Sequence, residues 1–405
     1  MCSYKKIAFL IIISFFLIIR TSKAQLHQVI SDNLSEQVEI LALGDPNHYE
    51  GTINTHRIGL IKELVKNKKF RVIAFESNTF EMYHSYKKFK QSKNPTDLFN
   101  GMYANFKCQE LVELFDFVEE QNKKGDSIII AGFDTNYSGS KTMEYLLLSL
   151  EKYLKNKNIL SIEEKKEYFN NLEKSSIVNL RVLFMNGDKV ISELIPPTKK
   201  IIAALEAAQN KTQDERFLRQ QLRNILQLRE NRNDEEAMSF WNRRDYYMID
   251  NIEFLKKEYP NQKIILWGAS GHFLKDAKKV NIPFFQNEKL VIIGQRLKEK
   301  YKEKYFLISY SALSGKRKVA FGNAKIDTPK ENTLEYIALQ KSIEEKTTFY
   351  LMNFSSQLDI PPTKQKEKIN SRILGHSDTE MEIQEVCDAV IFLDNCQPYT
   401  KFKEK

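Results

Sequence analysis

The sequence predicts an α/β protein: a largely parallel mixed sheet flanked by helices, with a large all-helical insertion between its third and fourth strands. Three observations predict it. Short, near-continuous apolar runs rich in β-branched residues recur along the chain, as strands buried on both faces of a parallel sheet require. Each of the first four is followed by polar residues or a glycine and then by a long amphipathic segment, the alternation of βαβ units. From residue 141 to 260 the pattern turns almost wholly helical, rich in Leu, Lys, Glu and Gln.

The first 24 residues stand apart. They combine a basic start at Lys5 and Lys6, an apolar run from Ile7 to Ile19, and small residues at Ser22 and Ala24, the pattern of a secretory signal peptide cut after Ala24. The run is shorter than the roughly 20 apolar residues that span a bilayer, so export to a periplasm or the exterior, without a stable membrane anchor, is expected. Cleavage removes 24 of 405 residues and the charges of Lys5, Lys6, Arg20 and Lys23, which lowers the net charge from +9 to +5. That charge is dispersed and lacks the interleaved basic and aromatic blocks of a nucleic-acid surface, so nucleic acid is not an expected partner.

The first part of the core, residues 25–140, carries the runs VEILALG (38–44), RVIAFES (71–77) and SIIIAGFD (127–134). Between the first two, NTHRIGLIKELVKN places Ile58, Ile61, Leu64 and Val65 on one helical face. The insertion, residues 141–260, is too long for a crossover loop and predicts a helical subdomain. Within it, Pro196 and Pro197 are expected to end one helix and let another begin. The second part of the core, residues 261–405, opens with KIILWGAS (263–270). The runs KLVIIG (289–294), YFLISYSA (305–312), KRKVAFG (316–322), TTFYLMNF (347–354) and DAVIFLD (388–394) are expected to extend the sheet, some of them antiparallel. Residues 358–380 read as a surface excursion. After cleavage three cysteines remain. Cys387 and Cys396 bracket a strand that would hold them about 30 Å apart, beyond the roughly 7 Å a disulfide allows, so the core and not cross-links is expected to hold the fold.

The polar residues collect at the strand ends. The first run ends at Asp45 and His48, the second at Glu76, the third at Asp134, and the fourth at Ser270 and His272. In an open parallel sheet the carboxyl ends of the strands form one crevice, where ligands bind. His48 can act as a general base on water if a carboxylate holds its other ring nitrogen, a part open to Asp45, Glu76 or Asp134. Arg57, on the following helix, is placed to pair with a carboxylate or to stabilise an oxyanion. His272 is a second proton-transfer group or a donor to a substrate carbonyl. Structural readings compete: Asp45 as a helix cap, Glu76 as a buried partner of Arg57, and Asp134 as a support within its turn. His27, His84 and His376 are read as surface residues. Asp45, His48, Glu76 and His272 also make a two-His, two-carboxylate set that a divalent metal could use. No HExxH spacing accompanies it.

Taken in order, these segments resemble the erythromycin esterase-like family. LALGDPNHYEGTINTHRIGLIKELVKNKKFRVIAFES is similar to its opening pattern of a strand, G-E-x-x-H, a helical arginine and a second strand ending in glutamate. The likeness continues through CQELVELFDFVEEQN (Glu110, Asn122), the GFD at 132–134, RRDYYMIDNIEFL, IILWGASGHF and CDAVIFLD. It implies a hydrolase without a cofactor, acting on a small-molecule ester or lactone, with His48 activating water and Glu76, Arg57 and His272 around it. The best-known members have a cleft large enough for a macrocyclic lactone. Glu110, Arg244, Asp245 and Asn251 fall on its motifs as supports. Two positions depart from the pattern: Asp45 stands for the motif glutamate, and Ala269 for the first histidine of W-A-H-N-x-H. A metal-dependent hydrolase or peptidase on the same scaffold, and a binding protein that has lost the reaction, are the alternatives.

Overall fold

The computed structural model describes residues 23–181, 188–230, 240–319, 322–363 and 368–403. The apolar run of the expected leader lies outside them, and among the described residues no helix is long and apolar enough to cross a membrane. Helix α1 (Lys23–Asn33) leads into β1 (Ile40–Asp45), α2 (Gly51–Lys68), β2 (Phe70–Asn78), α3 (Thr79–Ser92), α4 (Pro95–Phe99), α5 (Glu110–Lys123) and β3 (Ile129–Asp134). The helices α6 (Thr142–Leu154), α7 (Ile162–Arg181), α8 (Asp188–Ala207), α9 (Gln213–Glu230) and α10 (Phe240–Glu258) follow before β4 (Lys263–Ala269). The remainder comprises α11 (Ser270–Phe273), α12 (Ile293–Tyr301), β5 (Tyr305–Ala312), β6 (Lys316–Lys318), β7 (Asn323–Lys325), α13 (Leu334–Glu345), β8 (Phe349–Asn353), β9 (Ile369–Ser371), β10 (Thr379–Met381), α14 (Ile383–Val386) and β11 (Ala389–Leu393).

Seven strands form one sheet in the order β3-β2-β4-β1-β5-β11-β8. All neighbours run parallel except β8, which pairs antiparallel with β11. The alternation of side chains along each strand divides the core into two layers. Ile40 and Ala42 of β1, with Val72 and Ala74 of β2, face a layer that includes Leu146, Leu205, Leu222 and Ile252 of the helical insertion. Leu41, Leu43, Ile73 and Phe75 face the opposite layer, with Ile58, Ile61 and Leu64 of α2 and Leu111 and Phe115 of α5. Each fully buried side chain of this kind contributes about 1.5–3 kcal/mol. Local chemistry sets the junctions: Asn78 ends β2 and caps α3 by accepting from the Glu81 N–H at 3.0 Å.

Three expectations are corrected. KLVIIG is not a strand; Leu290–Ile292 run into α12, where Ile293 and Leu297, four residues apart, bury one helical face in the same core layer as Ile292. KRKVAFG contributes β6 to a separate hairpin with β7, outside the main sheet, after a turn at Gly315 (φ 112). Pro196 and Pro197 lie inside α8 and do not end it. A proline inside a helix costs about 3 kcal/mol, but Leu194, Ile201 and Leu205 are fully buried on that helix and together offset the cost. Thr198 adds a hydroxyl contact to Tyr168 at 2.8 Å. The described cysteines, Cys108, Cys387 and Cys396, are buried free thiols.

Candidate active site

β1 and β4 lie side by side in register, with Leu43 opposite Trp267, Gly44 opposite Gly268 and Asp45 opposite Ala269. The paired glycines make the site possible. A Cβ on Gly44 would stand 2.6 Å from Ser270 Oγ, and one on Gly268 would stand 2.7 Å from Glu76 Oε2. Only a residue without a side chain lets those groups approach the strand ends.

Two buried ion-pair systems grow from this edge. In the first, Arg57 of α2 donates from Nη1 to Asp45 Oδ2 at 2.8 Å and from Nη2 to the Gly268 carbonyl at 3.4 Å. Its guanidinium lies over the rings of Trp267 and Tyr310. The other carboxylate oxygen of Asp45 stands 3.3 Å from Nδ1 of His48. In the second, Arg244 of α10 bridges two strand ends. It donates to Glu76 Oε1 at 2.8 Å and to both oxygens of Asp134. Asp134 also accepts from the Tyr103 hydroxyl at 3.0 Å, and Glu76 Oε2 accepts from the Ala269 N–H at 3.0 Å.

His272 and His48 stand on either side of Glu76. His272 Nδ1 is 2.7 Å from Asp245 Oδ1 and its Nε2 is 3.3 Å from Glu76 Oε1, while His48 Nε2 is 3.7 Å from Glu76 Oε2. The imidazoles are the accessible members of the cluster: His48 is 24% and His272 16% exposed, against 0% for Arg57. Phe106 meets the His48 ring edge to face.

Electrostatics separate the two rings. Burial opposes a charge on His272, but Asp245 and Glu76 outweigh it and push its pKa up to about 10, which favours the charged ring at neutral pH. Burial likewise opposes a charge on His48; Asp45 and Glu76 prevail there too and raise its pKa above the ordinary value. Burial pushes the two carboxyls up, yet Arg57 and His48 hold Asp45 below its usual range, and His272 and His48 hold Glu76 well below it. Burial also disfavours the charge on Arg244, which Asp134 and Glu76 more than restore.

Asp45, His48, Arg57, Glu76, Asp134, Arg244, Asp245 and His272 therefore belong to one connected cluster at the carboxyl edge of the sheet. Others do not join it. Glu110 accepts from the Thr400 N–H at 2.8 Å and serves the docking of the C-terminal segment on α5. Asn251 is fully buried behind β3, donating to the Phe133 carbonyl and accepting from Gln220. Ser270 is buried behind Gly44. Arg57, having no exposed surface, is out of a substrate's reach: it pairs with a carboxylate, and the oxyanion role is corrected. Glu76 is the partner of Arg244, not of Arg57.

The remaining histidines are not surface residues. His27 is buried against His56, ring edge to ring face. His84 packs among Phe80, Tyr83 and Tyr145, and burial lowers its pKa to about 4. His376 is buried, with Nε2 2.7 Å from Glu50 Oε1. Residues 375 and 376 of the expected excursion accordingly pack down onto the site: the Gly375 N–H donates to the Pro46 carbonyl at 3.0 Å, and His376 holds Glu50, directly after the His48 turn. Tyr103, Phe106 and His376 are the neighbours that sequence reasoning missed. They come from loops with no strand-end or spacing signal.

Beside His272 lies a pocket of about 160 Å³, bounded by Ala269 and Gly271 and walled by Phe284, Phe285, Leu290, Val291 and Ile292. Among the described residues no group of three or more His, Cys, Asp or Glu side chains is arranged to hold a metal ion. Asp45, His48, Glu76 and His272 do lie together, yet the carboxylates face buried arginines and His272 Nδ1 faces Asp245.

An accessible imidazole backed by a carboxylate, beside a buried cation and an apolar pocket at the carboxyl edge of a parallel sheet, has the parts of a hydrolase site. Comparison with known proteins agrees with that class and narrows it. The signature of the Erythromycin esterase family matches residues 65–396, and the chain belongs to that family. The matched span contains Glu76, Asp134, Arg244, Asp245 and His272; Asp45, His48 and Arg57 precede it. YbfO of Bacillus subtilis (strain 168), a protein carried under a hydrolase name, is 25% identical over 392 residues, covering 89% of this chain and 84% of its own. Among solved structures, a Bacillus cereus protein matches with a TM-score of 0.72 at 18% identity, over 94% of both chains. A mutant of the erythromycin esterase EreC in its open conformation matches with a TM-score of 0.64 at 18% identity, over 92% of this chain and 94% of that one. The fold of the chain is that of these proteins.

Proposed function

We propose that the protein is an exported hydrolase that cleaves the ester bond of a small molecule, a lactone included, by His48-assisted attack of water and without a metal. The observation that carries this reading is the environment of His48. It is the most accessible ionisable group of the cluster, and Asp45, itself held by Arg57, faces its Nδ1. In its neutral form His48 takes a proton from water at Nε2 as the oxygen attacks the carbonyl carbon; the tetrahedral species then collapses, and His48 returns the proton to the departing alkoxide. Asp245 and Glu76 favour the charged form of His272, whose Nε2 lies 3.4 Å from Arg244 Nη1 and 3.3 Å from Glu76, the latter longer than a charge-assisted hydrogen bond of about 2.7–2.9 Å. That N–H is available to share with a carbonyl oxygen gaining negative charge. Arginines already neutralise the carboxylates that a divalent cation would use, which favours the metal-free route.

The expectation is tested by assaying a panel of esters and lactones with wild type and His48→Ala, each with chelator and with added divalent metal. Turnover that falls by about 10²–10⁴ in the variant and ignores both additions supports the reading. Turnover that the variant retains overturns the role of His48, and turnover abolished by chelator and restored by metal overturns the metal-free route. One observation favours a second reading, a binding protein without turnover: Ala269 stands where the family's pattern carries a histidine. A folded wild type that cleaves nothing in the panel would select it.

A further inference from the structure

The pocket beside His272 has a size and a polarity that define what enters it. Its walls are the side chains of Phe284, Phe285, Leu290, Val291 and Ile292, and its polar end is His272 with Asp245. Ala269 contributes only a methyl group and Gly271 nothing, so the floor next to the imidazole is open. Phe284 keeps 45% of its surface exposed at this rim, a large aromatic residue that the core does not account for. A volume of about 160 Å³ equals that of protein cavities, roughly 150 Å³, that take up benzene. It seats a single ring or a chain of a few carbons; a macrocyclic ring does not fit inside it.

We infer that this pocket is the specificity site for one substituent of the substrate ester: an uncharged group of about the size of a benzene ring, attached to a carbonyl that sits at the His272 end. The inference rests on the ester-hydrolysis reading and adds the substrate class to it. A charge carried on the far side of the substituent is disfavoured, because the walls beyond His272 and Asp245 are apolar and an unpaired charge there costs several kcal/mol. Leu290 and Val291 are the size-determining residues, since both are half-buried and stand on the connection between Asn287 and α12 rather than in the sheet.

The test uses the full-length protein with two substrate series: methyl esters of straight-chain acids from acetate to decanoate, and acetates of straight-chain alcohols of the same lengths. In one series kcat/KM is expected to rise about fourfold per added methylene over the first few carbons and then to level or fall as the pocket fills. Leu290→Trp is expected to move that break several carbons shorter. Binding of acetophenone, a hydrolysis-resistant ketone of matching size, is followed by calorimetry in wild type, Leu290→Trp and the distant surface variant Ile343→Ser. A loss of at least about tenfold in Leu290→Trp alone is expected. Flat profiles in both series, or acetophenone binding that Leu290→Trp does not alter, would overturn the inference while leaving His48-dependent hydrolysis intact. Absence of turnover with pocket-dependent acetophenone binding would instead sink the catalytic reading and keep the pocket.

Discussion

The Asp45–Arg57 pair offers the sharpest test of how the site is built. Arg57 is 0% and Asp45 1% exposed, and they meet at 2.8 Å. Asp45→Asn removes the carboxylate charge in nearly the same shape and leaves a guanidinium sealed between Trp267 and Tyr310, faced by neutral oxygens, the new amide's and the Gly268 carbonyl at 3.4 Å, in place of a countercharge. Breaking one partner of a buried pair costs about 3–5 kcal/mol. Arg57→Met should cost a similar amount, because the Asp45 charge then faces only His48. Were the effects independent, the double variant would lose about 6–10 kcal/mol; because each single variant strands the other's charge, the double is expected to lose no more than either alone, a coupling of about 3–5 kcal/mol. Urea denaturation of the four proteins at pH 7, with the slope held common, measures it. A loss under about 1 kcal/mol in either single variant, or strict additivity, would refute the reasoning that these residues are one electrostatic unit.

Other expectations follow from the same geometry. The acid limb of kcat/KM should lie above pH 6.5, since Asp45 and Glu76 raise the pKa of His48 and the base must be neutral to act; a limb near 4 would assign the base to a carboxylate. For stability, the sign for His272 is set by a folded-state pKa of about 10: its contribution is complete below the unfolded value near 6.5 and disappears as pH rises through 10. Urea midpoints of wild type should therefore fall between pH 7 and 10.5, and those of His272→Asn should fall less. Glu76 carries the opposite sign, its contribution being lost as pH falls through its depressed pKa. Gly268→Ala, whose methyl would stand 2.7 Å from Glu76 Oε2, should displace that carboxylate and lower kcat by at least about tenfold, with near-native circular dichroism. Chain secreted by an expression host should begin at Gln25 by N-terminal sequencing; an intact Met1 would contradict the proposed export.

How far the sequence could be read depended on where the determinant lay. Strand ends were legible, because a core run that stops at Asp45, Glu76, Asp134 or His272 places a polar group where a parallel sheet makes its crevice. Pairing was not. Whether Arg57 meets Asp45 or Glu76 depends on the register that sets Gly44 beside Gly268 and on helix α10, which brings Arg244 from across the insertion. No local pattern encodes that choice. KLVIIG misled because a short apolar run suits a strand and a helix start equally, and the burial of Ile293 with Leu297, one helical turn on, settles it. His376 misled for a related reason: its neighbours Gly375, Ser377 and Asp378 read as an exposed turn, while the fold folds that turn onto Pro46 and Glu50.

The clasp of Gly375 and His376 on the turn after β1 has a bearing on truncated chains. Asp45 and His48 leave the ribosome early, but β5, the outer neighbour of β1, and the residues that pin its turn come much later, with Tyr399 donating its N–H to the Tyr49 carbonyl from almost the last residues described. A polypeptide cut short of residue 376 thus carries His48 without the contacts that pin the turn around it, so a truncation anywhere before that residue reaches the candidate site.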